Sequence, residues 1–147
     1  MKSEIATFFE AFPDGTVWAN TVNGRGYDLV LMGQPGPTLL DVNALTDRLG
    51  SPGYGGIRNS LGEVGIRSTM ELLATYAGNA DTLGDWLADA EINRDRNLRL
   101  QYLAGLGVNR YEQDQIYRSM ISSVEFPEDL FVGSEADLAW LRGVITG

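Results

Sequence analysis

The sequence predicts an α/β chain in which one amphipathic helix and one β-hairpin precede a mostly helical tail. Three observations predict this fold class. Apolar residues recur at one-turn spacing near the start, two runs of β-branched and aromatic residues flank a Gly-rich turn, and capping residues precede apolar stripes of helical period in the remainder. We therefore divide the 147 residues into a helix-and-hairpin segment, 1–34, and a helical tail, 35–147.

The first predicted helix covers residues 2–12. Its apolar side chains recur every three or four positions and are Ile5, Phe8, Phe9 and Phe12. This spacing places them on one face of a helix. The turn-forming run Pro13-Asp14-Gly15 ends the helix.

The predicted hairpin joins strand 16–22 to strand 27–32 through the turn 23–26. In the second strand the run Leu29-Val30-Leu31-Met32 does not alternate with polar residues. A continuous apolar run is typical of a strand that is buried on both faces in the middle of a covered sheet. No other segment has the pattern of a strand that could pair with it, so we expect only helices in the tail.

The first helices of the tail are predicted from their ends. Asp41 caps a helix that closes at Gly50, and a short helix covers residues 57–64. Ser68 and Glu71 have capping-box spacing, and we expect the helix that they open to end at Gly78.

Three further helices are predicted downstream. One runs from Asp81 through Leu87. The next covers residues 111–122, and its inner side carries Ile116, Tyr117, Met120 and Ile121. The last is capped by Ser134 and directs Leu138, Leu141 and Ile145 inward.

Composition excludes several classes of function. The 20 acidic and 11 basic residues give a formal net charge of −9, and an acidic surface repels phosphate backbones, so nucleic acid is not an expected partner. The absence of Cys and His excludes disulfides, Cys nucleophiles, zinc–thiolate sites and Ser–His triads. The apolar runs are too short to span a membrane, and residues 1–4 do not open a secretory signal, so we expect a cytoplasmic protein.

Two Gly-rich loops and an acidic stretch could carry chemistry. The loops, 24–26 and 53–56, do not follow a strand and open a helix as a dinucleotide fingerprint requires, so we interpret them as turns. The acidic residues lack the spacing of a calcium loop, so we interpret them as a solvated face, although a carboxylate there could hold a cationic amine. The acidic stretch consists of Asp81, Asp85, Asp89, Glu91 and Asp95.

An arginine group and a set of aromatic residues are the other candidates. The arginines could bind an anion, but ion pairs with nearby carboxylates are the preferred interpretation; they are Arg94, Arg96 and Arg99. The aromatic residues could line a pocket, but core packing is preferred; they are Trp18, Tyr27, Trp86, Tyr102 and Trp140. None of these groups forms an active site, so no catalytic, cofactor-binding or metal-binding residue is assigned.

Several segments together resemble the C-terminal end of the spermidine synthase (polyamine aminopropyltransferase) family, in its divergent branch that is often fused to membrane-spanning segments. The segments are residues 2–13, which run into Phe12-Pro13, then Thr16-Val17-Trp18, then residues 27–34. The stretch 93–102 resembles a tail motif close to Asn-Thr-Asp-Asp-Arg-Pro-x-Leu-Glu-Phe. Four residues fit the motif, namely Asn93, Asp95, Arg99 and Leu100, whereas Arg94, Arg96, Asn97 and Leu98 depart from it.

The resemblance implies that the chain is a fragment of a Rossmann-like, methyltransferase-like sheet of seven strands. In that fold the last strand is inserted in the middle of the sheet, which would account for the apolar run 29–32. The family binds decarboxylated S-adenosylmethionine as co-substrate, and the elements that bind it and the catalytic Asp would lie before Met1. By this resemblance the chain would be inactive alone and would associate with an N-terminal catalytic half, which could carry a membrane tether.

The resemblance also suggests substrate-binding residues. If this part of the enzyme contributes to the polyamine site, then Trp18, Asp28 and Gln34, which lie in or near the hairpin, are the candidates. A different class of function stays open: a free-standing, non-enzymatic helical interaction module, which the absence of His, Cys and a cofactor loop favours. In either case we expect self-association or association with another chain through the edge of strand 27–32.

Overall fold

The computed structural model of the chain describes residues 1–22, 25–97 and 113–147. The chain forms two compact units: residues 1–37 with 77–125, and residues 38–76 with 126–147. The two units therefore differ from the segments 1–34 and 35–147 of the sequence, because residues 77–125 of the tail belong with the first helix and the hairpin. The structure is mixed α/β, with a three-stranded sheet, a two-stranded sheet and several helices.

The first unit begins with the predicted helix and hairpin, and both are confirmed. Helix α1 spans Lys2–Ala11 and buries Ile5 and Phe9. Strand β1, Thr16–Val22, pairs antiparallel with strand β2, Arg25–Met32. The turn between α1 and β1 brings the backbone of Gly15 so close to the helix that an added Cβ would lie 2.6 Å from the ring of Phe8, and a glycine fits that space.

A third strand joins this sheet, contrary to the prediction that the tail contains only helices. Helix α4, Thr69–Leu73, ends five residues before Gly78, and strand β4, Tyr76–Asn79, follows it. Strand β4 lies beside β1, so the order of the sheet is β2-β1-β4. Gly78 has φ +135° and lies against Leu83, and a side chain there would be strained. Gly78 therefore serves a strand and a close contact, not a helix end.

Strand β2 lies at one end of this sheet, not in its middle. The prediction that its apolar run is buried on both faces is wrong for the described residues. Val30 and Met32 are 51% and 56% exposed, whereas Leu29 and Leu31 between them are half-buried. The run is uniformly apolar in sequence but alternates in burial, because successive side chains of a strand point to opposite faces.

Among the described residues, the rest of the first unit contributes two short helices. Helix α5, Gly84–Leu87, is shorter than the predicted 81–87 and buries Trp86. Helix α6, Gln113–Ile121, lies within the predicted 111–122 and packs against β2. Its inner side is confirmed for Tyr117 and Met120, which are buried, and burial raises the pKa of the Tyr117 phenol.

The second unit contains a small parallel sheet and four helices. Strand β3, Leu40–Asp41, pairs with strand β5, Phe131–Val132. The helices are α2 (Val42–Gly50), α3 (Gly55–Glu63), α4 and α7 (Glu135–Ile145), and a 3-10 helix at Pro52–Tyr54 precedes α3.

The predicted caps of the second unit are confirmed. The side chain of Asp41 accepts a hydrogen bond from Ala44 N at 2.9 Å, and Ser68 Oγ accepts one from Glu71 N at 3.1 Å. Ser134 Oγ likewise accepts one from Asp137 N at 3.2 Å. Each bond satisfies one of the amide groups that a helix leaves free at its N-terminus. In α7 the inward side chains Leu141 and Ile145 are buried, and Leu138 is half-buried.

Candidate interaction surface

The register of the hairpin decides which side chains share a face. Trp18 pairs with Val30, Thr16 with Met32, and Asn20 with Asp28. Directly opposite residues of an antiparallel pair point to the same face, and so do residues two apart along a strand. One face of the hairpin therefore carries four described side chains that are half-buried or exposed, namely Trp18, Asp28, Val30 and Met32. We call it the outer face.

The two faces of the hairpin differ in burial. The inner face carries Val17, which is fully buried, Ala19, which is 8% exposed, and the half-buried Leu29 and Leu31. On the outer face Asp28, Val30 and Met32 are all exposed. The outer face thus presents two large apolar side chains and one carboxylate to water.

The outer edge of β2 is the second feature of this surface. Within residues 1–22, 25–97 and 113–147, β1 is the strand that pairs with β2, and its other edge has no partner strand. An unpaired edge presents a row of backbone N–H and C=O groups that can accept a further strand. The edge and the outer face meet at Val30 and Met32, so one partner could contact both.

Two of the three predicted substrate-binding residues lie on the outer face. Trp18 and Asp28 occupy diagonal positions of the β1–β2 pair, a geometry in which Cα atoms are about 7–8 Å apart. The indole Nε1 of Trp18 donates a hydrogen bond to Thr16 Oγ1 at 2.8 Å, which orients the ring along β1. Gln34 lies beyond the end of β2, where its amide nitrogen donates to the carbonyl of Pro37 at 3.1 Å. The structure therefore gives Gln34 a local turn contact, away from the strand positions of the other two.

Sequence reasoning missed the outer face because the run 29–32 looked uniformly buried. Asp28 carried a usable signal, because a charged side chain indicates which alternate positions of the strand face solvent. Residues 28, 30 and 32 therefore lie on the solvent-facing side. Because Val30 pairs with Trp18, the aromatic ring lies on the same face. Counting from the charged residue would have separated the two faces.

A groove of about 290 Å³ forms a second candidate site in the first unit, lined by Lys2, Trp86, Gln115, Ile116 and Ser119. Lys2 Nζ lies 4.9 Å from the centroid of the Trp86 ring and 2.7 Å from a carboxylate oxygen of Asp89. The indole of Trp86 donates to Ser119 Oγ at 3.0 Å. The hydrogen bond from Lys2 and the lysine charge lower the pKa of the Asp89 carboxyl. The Lys2 ammonium at this groove therefore already contacts the Trp86 ring and the Asp89 carboxylate.

The acidic stretch 81–95 contains no metal site in the described part of the chain. No three side chains of the metal-binding types Asp, Glu, His and Cys converge there or elsewhere among the described residues. Asp89 pairs with Lys2, as described above. The described part of the acidic stretch therefore offers no cluster of three such side chains for a metal ion.

The arginine group forms an ion pair, but with a carboxylate from a distant part of the sequence. Arg94 Nη2 donates to Glu10 Oε1 at 2.7 Å, and the backbone N–H of Asn93 donates to Thr7 Oγ1 at 2.8 Å. Both contacts attach the start of the 93–102 stretch to α1. Arg99 and the remainder of that stretch from residue 98 lie outside the described residues.

The other candidate features are structural where they are described. The interpretation of 53–56 as a turn is wrong, because Gly53 lies in the 3-10 helix and Gly55 and Gly56 lie in the first turn of α3, whereas Gly24 is outside the described residues. Trp86 is a core residue, but Trp140 is 45% exposed on α7, so core packing was the wrong interpretation there. Tyr102 and the side chain of Tyr27 are outside the described part. No helix between residues 1–22, 25–97 and 113–147 combines the length and apolar character needed to cross a membrane.

Comparison of the chain with protein-family models, with curated proteins and with solved structures gives no match.

Proposed function

We propose that this chain is the C-terminal part of a spermidine synthase-like aminopropyltransferase and that it completes the sheet of that enzyme through the edge of β2. The observation that carries the proposal is the position of β2: no strand of the described residues pairs with its outer edge, although its apolar side chains are half exposed. In the resembling fold the corresponding strand has a neighbour on both sides. The missing neighbour would come from the cofactor-binding half, which would lie on a preceding segment or on a separate chain.

The reaction of the intact enzyme would be a direct displacement. A deprotonated amine nitrogen attacks the carbon next to the sulfonium of decarboxylated S-adenosylmethionine, the C–S bond breaks, and a neutral thioether leaves while the new ammonium loses a proton. The acceptor of that proton would be the family's catalytic Asp in the other half. This chain would contribute only to binding, and the enzyme would work in the cytoplasm.

The outer face is suited to a cationic amine. A carboxylate and an aromatic ring are the two protein groups that attract an ammonium most directly, and Asp28 and Trp18 supply one of each. Gln34 would have to leave its contact with the Pro37 carbonyl to join them. We therefore propose Trp18 and Asp28 as polyamine contacts, with Gln34 as a candidate that needs a rearrangement.

A second candidate function is a free-standing, non-enzymatic interaction module. The observation that favours it is strand β4, which occupies the edge of β1 opposite to β2 and so builds a three-stranded sheet from this chain alone. In that case the outer face and the β2 edge would bind a protein partner, and no catalytic half would exist.

The test starts from the DNA upstream of the codon for Met1. The first proposal expects a Gly-rich strand–loop–helix segment to be encoded there or in a neighbouring reading frame. That polypeptide is expressed with this chain, and spermidine formation from putrescine and decarboxylated S-adenosylmethionine is measured by chromatography. We expect activity for the pair and none for this chain alone.

The control uses two exposed valines. Val30→Lys places a charge at the β2 edge and should abolish both co-purification and activity, whereas Val144→Lys changes an equally exposed valine on α7 and should preserve both. Spermidine formation by the isolated chain would contradict the proposal. If no cofactor-binding half is encoded nearby, the interaction module is the better explanation.

A further inference from the structure

We propose that the β2 strands of two copies of this chain pair edge to edge, antiparallel and around a two-fold axis. The inference goes beyond the proposed function, because it concerns the chain in the absence of any other half. It also predicts that self-pairing and the cofactor-binding half would compete for one edge.

The outer edge of β2 has no partner strand among the described residues. An open edge with large apolar side chains is a template for a further strand, and proteins usually protect such edges with charges, prolines or bulges. In the described part of β2 the residues from Asp28 to Met32 form a regular ladder with β1 and include no proline, and Asp28 is their one charge. The bulge of the hairpin opposes the step from Asn20 to Thr21, so its extra residue is Tyr27 of β2, which adjoins this stretch at Asp28.

The same stretch can pair with its own copy without placing like charges opposite each other. In a two-fold antiparallel pair centred on Val30, each Val30 faces its own copy, each Leu29 faces Leu31 of the second copy, and each Asp28 faces Met32 of the second copy. The two carboxylates are then separated by four residues along the strand, about 13 Å at a rise of about 3.3 Å per residue. That separation exceeds the Debye length of about 8 Å at physiological salt, so the charges oppose pairing only weakly.

Pairing would also join the outer faces of the two copies, because opposite residues of an antiparallel pair lie on the same face. Val30, which is exposed in one copy, would face Val30 of the other, and the exposed Met32 would lie diagonally from that Val30 and opposite Asp28. A second copy is the occupant that we commit to, because the two-fold operation places Val30 opposite Val30 and Leu29 opposite Leu31 and keeps the two Asp28 carboxylates apart.

The absence of Cys from the sequence permits a direct test by single-cysteine variants. Val30→Cys would place two thiols opposite each other, with Cβ atoms about 4.5–5.5 Å apart, close to the separation that a disulfide requires. Val144→Cys is the matched control, since Val144 is 48% exposed against 51% for Val30 and lies on α7. At a chain concentration of about 100 μM we expect V30C to form the linked dimer about tenfold faster than V144C, because thiols in a pre-formed pair meet at an effective concentration of about 1 mM.

The register is tested by two further variants. Asp28→Cys should cross-link poorly with itself but well with Met32→Cys when the two proteins are mixed. The unmodified chain is examined in parallel by light scattering at about 100 μM, where a dimer of micromolar Kd is nearly complete. A dimer mass together with fast V30C cross-linking supports the proposal.

Two results would overturn it: a monomer mass at that concentration, or a dimer in which V30C links no faster than V144C. The second result would place the contact on another surface. Neither result affects the proposed function, since a monomeric chain could still bind the cofactor-binding half, and that binding is measured separately by co-purification and spermidine formation.

Discussion

At the scale of single residues, the best-defined electrostatic contact of the second unit is the pair of Arg142 and Glu128. The guanidinium donates two hydrogen bonds of 2.7 Å to the two carboxylate oxygens, and its carbon lies 4.3 Å from the centroid of the Phe126 ring. These hydrogen bonds and the arginine charge lower the pKa of the Glu128 carboxyl, and the same hydrogen bonds raise the pKa of Arg142. A planar guanidinium can make both contacts at once, and a lysine could not.

The lowered pKa of Glu128 gives a pH prediction. A carboxyl with a lower pKa in the folded state contributes stability above its unfolded pKa of about 4.3, and that contribution is lost as the pH falls through the folded value. We therefore expect the free energy of unfolding to fall between about pH 5 and pH 3, and to fall less steeply in Glu128→Gln. Glu63→Gln is the control, because it makes the same chemical change at the exposed end of α3. Urea unfolding at each pH measures the slope, and equal slopes in E128Q and the unmodified chain would contradict the prediction.

At the scale of elements, the helix starts and the hairpin were predicted correctly because they depend on residues that are close together in the sequence. The helix that Asp41 caps and the helix that Ser134 caps begin where predicted, because an N-cap hydrogen bond depends on neighbours within three residues. The hairpin was predicted for the same reason, since a turn and two β-branched runs are adjacent in the chain. These features fixed the start of α1, β1, α2 and α7 without any knowledge of tertiary contacts.

The segment after Ser68 shows where local reasoning failed. The capping box correctly opened α4, but the strand Tyr76–Asn79 depends on β1, more than fifty residues earlier in the sequence. The helical spacing of Leu72, Leu73 and Tyr76 was a local signal that this long-range pairing overrode. The same limitation applied to β2, whose exposure depends on which strands lie beside it. For the candidate surface, the resemblance suggested Trp18, Asp28 and Gln34 as substrate contacts, and the common face of Trp18 and Asp28 was not predicted.

The caps give a prediction at this scale. Ser134→Ala should lower the free energy of unfolding by about 1 kcal/mol, within a range of about 0.5–2 kcal/mol, because the amide of Asp137 loses its acceptor. Ser68→Ala should have an effect of the same sign, although Glu71 Oε2 also accepts a 2.5 Å hydrogen bond from the backbone N–H of Arg67, the residue before the cap, and the variant keeps that bond. The control is Ser60→Ala within α3, where alanine is the better helix former and no loss is expected. Thermal unfolding of the three variants checks it, and an equal loss at Ser60 would argue against a capping effect.

At the scale of the whole molecule, two properties oppose each other in the proposed association. The chain has a net charge of −9, so two copies repel at long range, whereas the β2 edge and the outer face favour contact at short range. The repulsion acts over the Debye length, which falls from about 30 Å at 0.01 M salt to about 8 Å at 0.15 M. Backbone hydrogen bonds and apolar contacts across the β2 pair are almost unaffected by this change.

Added salt should therefore strengthen the dimer. We expect light scattering at a fixed chain concentration to show a larger dimer fraction at about 0.15 M than at about 0.01 M salt. Val30→Lys should remain monomeric at both, because a lysine on each copy would place two like charges opposite each other at the centre of the pair. Val144→Lys, which makes the same change in net charge away from the edge, should follow the unmodified chain. A dimer that weakens as salt is added would mean that ion pairs hold the copies together, and the apolar edge of β2 would then not be the contact.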